Sequence, residues 1–279
     1  MNILVVTIEF PEPELWDYFR ARHIATDIND AFCVDQYEPG LAARDRLTQQ
    51  RFDQAPVVSE PTRIVGWVAA HQLRDMSAVE SSMTSLDRSA IVSTESPIAH
   101  VLQLLCEHGL VFTVGDHGLA GFIVHSDLDR QPARTHFYLL VAGIEILLAD
   151  IIRVVCPTDS VIRALKSGMV KQYNRAKEAN TEAHPVEYLY LTALVELFLK
   201  NPRVRSAKVL DEPSINWLKN LNKFRVLVMH PACSIAAARS PMEIAQFTRL
   251  AVDVIGRLQE LSRDFHAGSH GQAPHSTAT

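Results

Sequence analysis

Two glycines, Gly66 in IVGWV and Gly121 in LAGFI, lie 55 positions apart, each inside a short apolar run where a glycine marks a close backbone approach or a bulge. The same order of elements is written around both. In the first copy GLAARDRLTQQRFDQ reads as a helix, APVV as a strand, SEPTR as a turn, IVGWVAA as a strand and HQLRDM as a helix start. In the second, STESPIAHVLQLLCEHG predicts a helix with Ser96 as its cap, Pro97 in its first position and Gly109 as its stop. Ile98, Val101, Leu102 and Leu105 follow the helical spacing that buries one face. LVFTV and LAGFIV then form two strands about the turn Gly115-Asp116-His117-Gly118, and the polar HSDLDR opens another helical stretch. This is an internal repeat.

The two counterparts, PVVSEPTRIVGWVAAHQL (56–73) and FTVGDHGLAGFIVHSDL (112–128), resemble the repeats of a CBS-domain pair over about residues 25–130. The resemblance implies an α+β tandem module that senses a small ligand. In that family a threonine and an aspartate of the second strand's motif hold the phosphate and ribose of an adenine nucleotide. The matching positions here are Ala69 and Gln72 in the first repeat and Val124 and Asp127 in the second. Asp127 therefore carries the implied ligand site, with His125 and Ser126 beside it. A carboxylate accepts both ribose hydroxyls; equally, an aspartate at that place caps the helix that follows.

From Gln131 the strand signals cease. Pro132 opens ARTHFYLLVAGIEILLADIIRVV, which ends near Cys156-Pro157, and further helices are expected at about 159–178, 186–200, 214–229 and 242–265, divided by HP, NP, EP and SP breakers. That predicts an all-α bundle of four or five helices over 131–265. Residues 266–279, AGSHGQAPHSTAT with His266, hold no large apolar anchor and read as a disordered tail; residues 1–24 read as an N-terminal extension.

Within the helical half, LNKFRVLVMHPA sets Arg225 and His230 near a helix end. A guanidinium binds phosphate and a histidine exchanges a proton near neutral pH, which together suffice for RNA cleavage without metal. On a regular helix five residues turn about 500°, so the side chains diverge by roughly 140° unless the helix ends between them or a second subunit completes the site. Pro231 disfavours helical geometry at His230. The segment resembles the R-x(4–6)-H motif of HEPN domains, as do the preceding long helix with Glu145 and the stretch RAKEANTEAHPVEYLYLTALVELF. The resemblance implies a homodimer whose two motifs face one groove, with Arg225 and His230 as the catalytic pair of a metal-independent endoribonuclease. Val226 departs from the polar residue that active members place after the arginine. The alternative is a non-catalytic dimeric scaffold in which Arg225 is structural.

Composition bounds the remainder. A chain of 279 residues with 47% hydrophobic and 21% charged residues suits two globular domains, and a net charge of −5 gives no global attraction to RNA or membrane. Arg203, Arg205 and Lys208 form a local basic patch. The first residues lack a basic leader and a long apolar core, and the most apolar helix carries Glu145, Asp150 and Arg153, so neither a signal peptide nor a membrane span is expected and the protein reads as cytoplasmic. Four scattered cysteines without CxxC and twelve histidines without HExxH argue against a metal site. No resident cofactor is expected, only an adenine nucleotide as regulatory ligand.

Overall fold

The computed structural model describes residues 18–60, 63–179, 181 and 183–270, leaving most of the N-terminal extension, part of the SEPTR turn and the tail from residue 271 outside the described residues. The chain forms two compact units: residues up to Arg134 together with Ile235–Ala245, and Thr135–Ser234 together with the residues from Gln246 on.

In chain order the first unit contains β1 (Thr26–Asp27), β2 (Val34–Asp35), α1 (Gly40–Gln50), β3 (Gln54–Glu60), β4 (Arg63–Ala69), β5 (Thr84–Ser85), β6 (Ala90–Ser93), α2 (Ile98–His108), β7 (Leu110–Gly115) and β8 (Gly118–Val124). They make two four-stranded sheets, ordered β2-β3-β4-β5 and β1-β8-β7-β6. Each sheet has one design: a short strand runs parallel to the first arm of a hairpin, and a two-residue strand lies antiparallel to the second arm. The two-residue strands are exchanged. β5, which leads into β6 of the other sheet, pairs with the hairpin of the first repeat, and β1, which leads into β2, pairs with the hairpin of the second.

The repeat therefore begins earlier than the hairpin motifs indicate. Arg20 bridges Pro97 and Ala78 bridges Pro39, contacts related by the same 58-residue step. Ala21 donates to the Ser96 carbonyl (2.8 Å) and Arg22 to that of Thr94 (2.9 Å), just as Val79 donates to the Glu38 carbonyl (3.1 Å) and Glu80 to that of Gln36 (2.9 Å) on the other side. Residues 20–24 thus belong to the repeat rather than to an extension, because they satisfy backbone groups at the start of α2. That start differs by one residue from expectation. Pro97 occupies the cap position and no side chain caps the helix. Gly109 ends it in the left-handed region, at φ 71°.

Two apolar clusters hold this unit. Val34, Leu47, Val57, Val68, Leu73 and Val79 pack within the first repeat. Trp67, Leu110, Phe112 and Phe122 join residues of both repeats. Gly66 and Gly121 answer to the exchanged strands: a Cβ at Gly66 would stand 2.2 Å from the Thr84 carbonyl oxygen, and one at Gly121 2.3 Å from that of Thr26.

The helical part contains α3 (Gln131–Val155), α4 (Thr158–Ala164), α5 (Ser167–Glu178), α6 (Leu191–Lys200), α7 (Pro202–Ala207), α8 (Glu212–Met229), α9 (Ile235–Ala238) and α10 (Pro241–His270). The expected helix 159–178 is broken at Leu165-Lys166 into α4 and α5, and 186–200 begins as a 3-10 turn, Pro185–Tyr188, before α6. α10 runs past His266, where composition places the start of the tail; Asp150 lies 3.0 Å from His266 Nε2 and also accepts from the Ser262 hydroxyl. In the second unit an aromatic ladder links α3, α8 and α10: Phe137 meets Phe224 edge-on at 5.9 Å, Phe224 stacks on Phe247, and Trp217 lies 5.2 Å from Phe247. Ile235–Ala245 groups with the first unit, where Asp129 accepts the Ile235 N–H.

Gly66→Ala and Gly121→Ala should each destabilise the first unit by about 1–3 kcal/mol, since the obstructing atom is backbone and only separation of the exchanged strand makes room. Gly168→Ala, where a Cβ meets nothing within 4 Å, should be neutral or stabilising. Chemical denaturation of the three variants checks this ordering.

Candidate functional site

The motif turns of the two repeats have the same local construction. Ala69 N–H donates to Gln72 Oε1 (2.9 Å), and Val124 N–H donates to Asp127 Oδ2 (2.8 Å). Each turn is 3-10 rather than α-helical, Ala70–Gln72 in the first repeat and His125–Asp129 in the second. The side chain three residues on closes the turn by satisfying the N–H at the strand's end, a need that glutamine and aspartate meet equally well.

In the second repeat the polar arrangement extends further. Asp127 is 5% exposed, and its Oδ1 lies 2.9 Å from Arg130 Nε. Arg130 in turn donates to the Ala25 carbonyl (2.8 Å) and to the Thr26 hydroxyl (2.6 Å), so one guanidinium ties the exchanged strand β1 to the turn. Burial pushes the Asp127 carboxyl above its usual range, opposed by the Val124 N–H, Arg130 and the Thr26 hydroxyl. Both carboxylate oxygens are therefore already engaged, whereas Ser126 and Arg130 are exposed. His125 is half-buried. Burial lowers its pKa, against the raising effects of the Arg239 carbonyl and the Asp129 charge. Asp129 also pairs with the buried Arg134 at 3.5 Å. The three sequence-read residues His125, Ser126 and Asp127 are thus consecutive members of one turn. Arg130, which sequence reasoning passed over, is the cation that organises it; its place three residues after Asp127 is the only local signal.

In the second unit the geometry at the other sequence-read pair is different. α8 ends at Met229 and His230 adopts extended backbone, φ −96° and ψ 106°, as Pro231 leads one to expect. His230 is exposed. Arg225, however, is directed at α3, where its Nε lies 3.0 Å from Glu145 Oε1; the N–H is not aligned for a hydrogen bond, so the contact is ionic. Burial raises the Glu145 pKa, and Arg225 opposes that rise. The guanidinium is thereby spent on a carboxylate of its own bundle. Among the described residues no three histidine, cysteine or acidic side chains gather as a metal site, and no helix is long and apolar enough to cross a membrane.

No family model and no curated protein matches the sequence. Solved structures of CBS-domain proteins match the N-terminal part of the chain. A hemolysin-like protein containing a CBS domain from Oenococcus oeni PSU is 14% identical, covers 42% of this chain and 91% of its own, and superposes with a TM-score of 0.37. The CBS domain of a bacterial CNNM/CorC family Mg2+ transporter in complex with ATP is 17% identical over 42% of this chain and 88% of its own, at a TM-score of 0.37. CBSX2 in complex with AMP is 16% identical over 39% of this chain and 93% of its own, at a TM-score of 0.35.

Arg130→Ala should release β1: amide exchange across residues 25–27 is expected to speed about tenfold or more, with little change in β7, when followed by mass spectrometry. Asp127→Ala should cost about 2 kcal/mol through the lost cap and the uncompensated cation, and Asp127→Asn, which keeps an acceptor for Val124, should cost less. A second expectation concerns pH. The folded-state pKa of His125 lies below its ordinary 6.5, so the unfolded chain binds more protons in the window beneath that value. Stability should fall as pH drops through and below about 6.5. His23 and His184 are lowered too, so His125→Gln should flatten the melting-temperature profile in part; an unchanged profile counts against the assignment.

Proposed function

We propose that the first unit is a CBS-type module that binds an adenine nucleotide and that the helical unit is non-catalytic, acting as the regulated, dimer-forming half of a cytoplasmic protein. The observation that supports the ligand reading best is the equivalence of the two motif turns, Ala69–Gln72 and Val124–Asp127, each closed by the same backbone-to-side-chain bond. In the second repeat the ligand meets the exposed Ser126 and Arg130, whose guanidinium suits phosphate, while Asp127 holds Arg130 in position. At the place of Arg130 the first repeat has Asp75, and its nearest cation, Arg74, donates to the His71 carbonyl, which favours one nucleotide per chain. The Arg225–Glu145 ion pair supports the non-catalytic reading of the helical unit, since it gives Arg225 a structural role between α3 and α8. Four free cysteines suit a reducing compartment.

Self-association is proposed through the second unit. Tyr138 and Ile146 of α3 and Val226 and Met229 of α8 are 40–45% exposed. Ile146 and Val226 adjoin the ion-paired Glu145 and Arg225 in sequence. Apolar side chains so placed on two helices suit a self-complementary two-fold interface.

One set of samples tests the whole reading. Titration calorimetry of the full chain with AMP and ATP should give saturable binding that Ser126→Asp and Arg130→Ala weaken about tenfold or more. RNA incubated in chelator should stay intact with both wild type and His230→Ala, and sedimentation should show a dimer that Ile146→Glu converts to monomer. Absence of binding by either nucleotide overturns the sensor reading, RNA cleavage lost in His230→Ala restores the nuclease, and a wild-type monomer removes the interface.

A further inference from the structure

A surface feature of the second unit stands apart from the ligand reading of the first. Between α6 and α8 runs a solvent-open cleft of about 300 Å3. Its α6 wall is Leu191, Val195 and Leu199, one residue from each of three successive turns, and Leu218 faces them from α8. A second cleft, of about 590 Å3, continues from it, sharing Leu199 and Lys219 and lined further on by Val204, Leu210 and Ile215. The apolar α6 stripe is therefore about 12 Å long.

The charges lie along the rim. Lys200, Arg205, Lys208 and Lys219 line the two clefts, against Glu196 and Glu212. Glu196 is taken by Lys200 in an i,i+4 pair, whereas Arg205, Lys208 and Lys219 form no ion pair among the described residues. The three unpaired cations face a single acid, in a chain whose net charge is −5. Such a rim attracts an anionic partner, and a continuous apolar floor excludes one that offers charge alone.

We propose that this double cleft is a docking groove for an acidic amphipathic helix of a protein partner. Leu191, Val195 and Leu218 are buried beneath the groove, so its half-buried Leu199, Leu210 and Ile215 are the apolar side chains that meet anchors at i, i+4 and i+7 on the incoming helix, and the rim cations suit glutamates on its flanks. An acyl carboxylate shares the chemistry, but a groove open to solvent along its length leaves too much of a single tail in water for tight binding. Nucleic acid calls for denser cations and less apolar floor.

Fluorescence anisotropy of the full chain with a labelled peptide of about four helical turns, roughly 14 residues, tests this. The peptide carries leucines at i, i+4 and i+7 and glutamates on the remaining faces. Saturable binding is expected, weakened about tenfold by the exposed-site variant Lys208→Glu/Lys219→Glu and by Leu199→Asp, and reduced by added salt. A peptide of the same composition in scrambled order, and one with lysines replacing the glutamates, should not bind. Circular dichroism of the two variants verifies their folding, and the retained melting temperature of Lys208→Glu/Lys219→Glu keeps the test interpretable if Leu199→Asp is unstable. No binding of the acidic peptide, equal binding of the lysine peptide, or indifference to charge reversal overturns the proposal. Displacement of the peptide by oleate at matched concentration, with oleate binding the more tightly, reassigns the groove to a lipid and overturns it as well.

Discussion

The first unit depends on an exchange of two very short strands. β1 and β5 are two residues each, too short to hold themselves in place, yet each completes a sheet other than the one into which it leads. Without them the second arm of each hairpin, β8 and β4, would present unpaired backbone along its outer edge. What allows the exchange is the absence of a side chain at Gly66 and Gly121, where the partner strand's carbonyl occupies the volume of a methyl group. The rest of the unit follows from the crossing segments. The 3-10 turns Ile28–Asp30 and Leu86–Arg88 carry the chain from one sheet to the other, and the residues upstream of each short strand satisfy the backbone at the start of the opposite repeat's helix.

This arrangement explains what was legible in the sequence. The two glycines and the apolar strands around them are local signals, and they locate both hairpins, both helices and the repeat. β1 and β5 are not legible that way. Thr26-Asp27 and Thr84-Ser85 carry no alternation, because two residues make no period, and their partners lie about a hundred and about twenty residues off in the chain. The same holds for the breaks in the helical half. Leu165-Lys166 interrupts the stretch without a proline, and Gly168 falls two residues later, inside α5, so no breaker stands at the break itself.

Charged residues show the limit more sharply. Arg225 and His230 stand at a spacing that suggests phosphate chemistry, and the helix does end between them, at Met229, as Pro231 requires. Whether the guanidinium is available depends on a residue 80 positions away, Glu145, and no spacing rule reaches that far. Asp127 poses the converse case. Both of its oxygens are engaged, one closing the turn and the other anchoring Arg130, so the exposed cation rather than the buried carboxylate is the group turned toward solvent. Desolvation raises the pKa of both Asp127 and Glu145, and each is offset by an arginine, so the cations are held by carboxylates that would otherwise be costly to bury.

The covalent path gives the ligand reading its physical requirement. The chain passes from one unit to the other three times, after Arg134, after Ser234 and after Ala245, and the segment between the last two crossings belongs to the first unit. That segment is fastened at the motif turn of the second repeat, where Asp129 takes the Ile235 N–H and the Arg239 carbonyl stands beside His125. On the proposed reading, a ligand bound at Ser126 and Arg130 would act on a turn whose other side holds the entry to α10. It can shift the helical unit only to the extent that it binds this fastened turn and an unfastened one with different affinity; equal affinity, however tight, transmits nothing. A tenfold difference corresponds to about 1.4 kcal/mol, close to the worth of one hydrogen bond to a charged group such as the one Asp129 accepts.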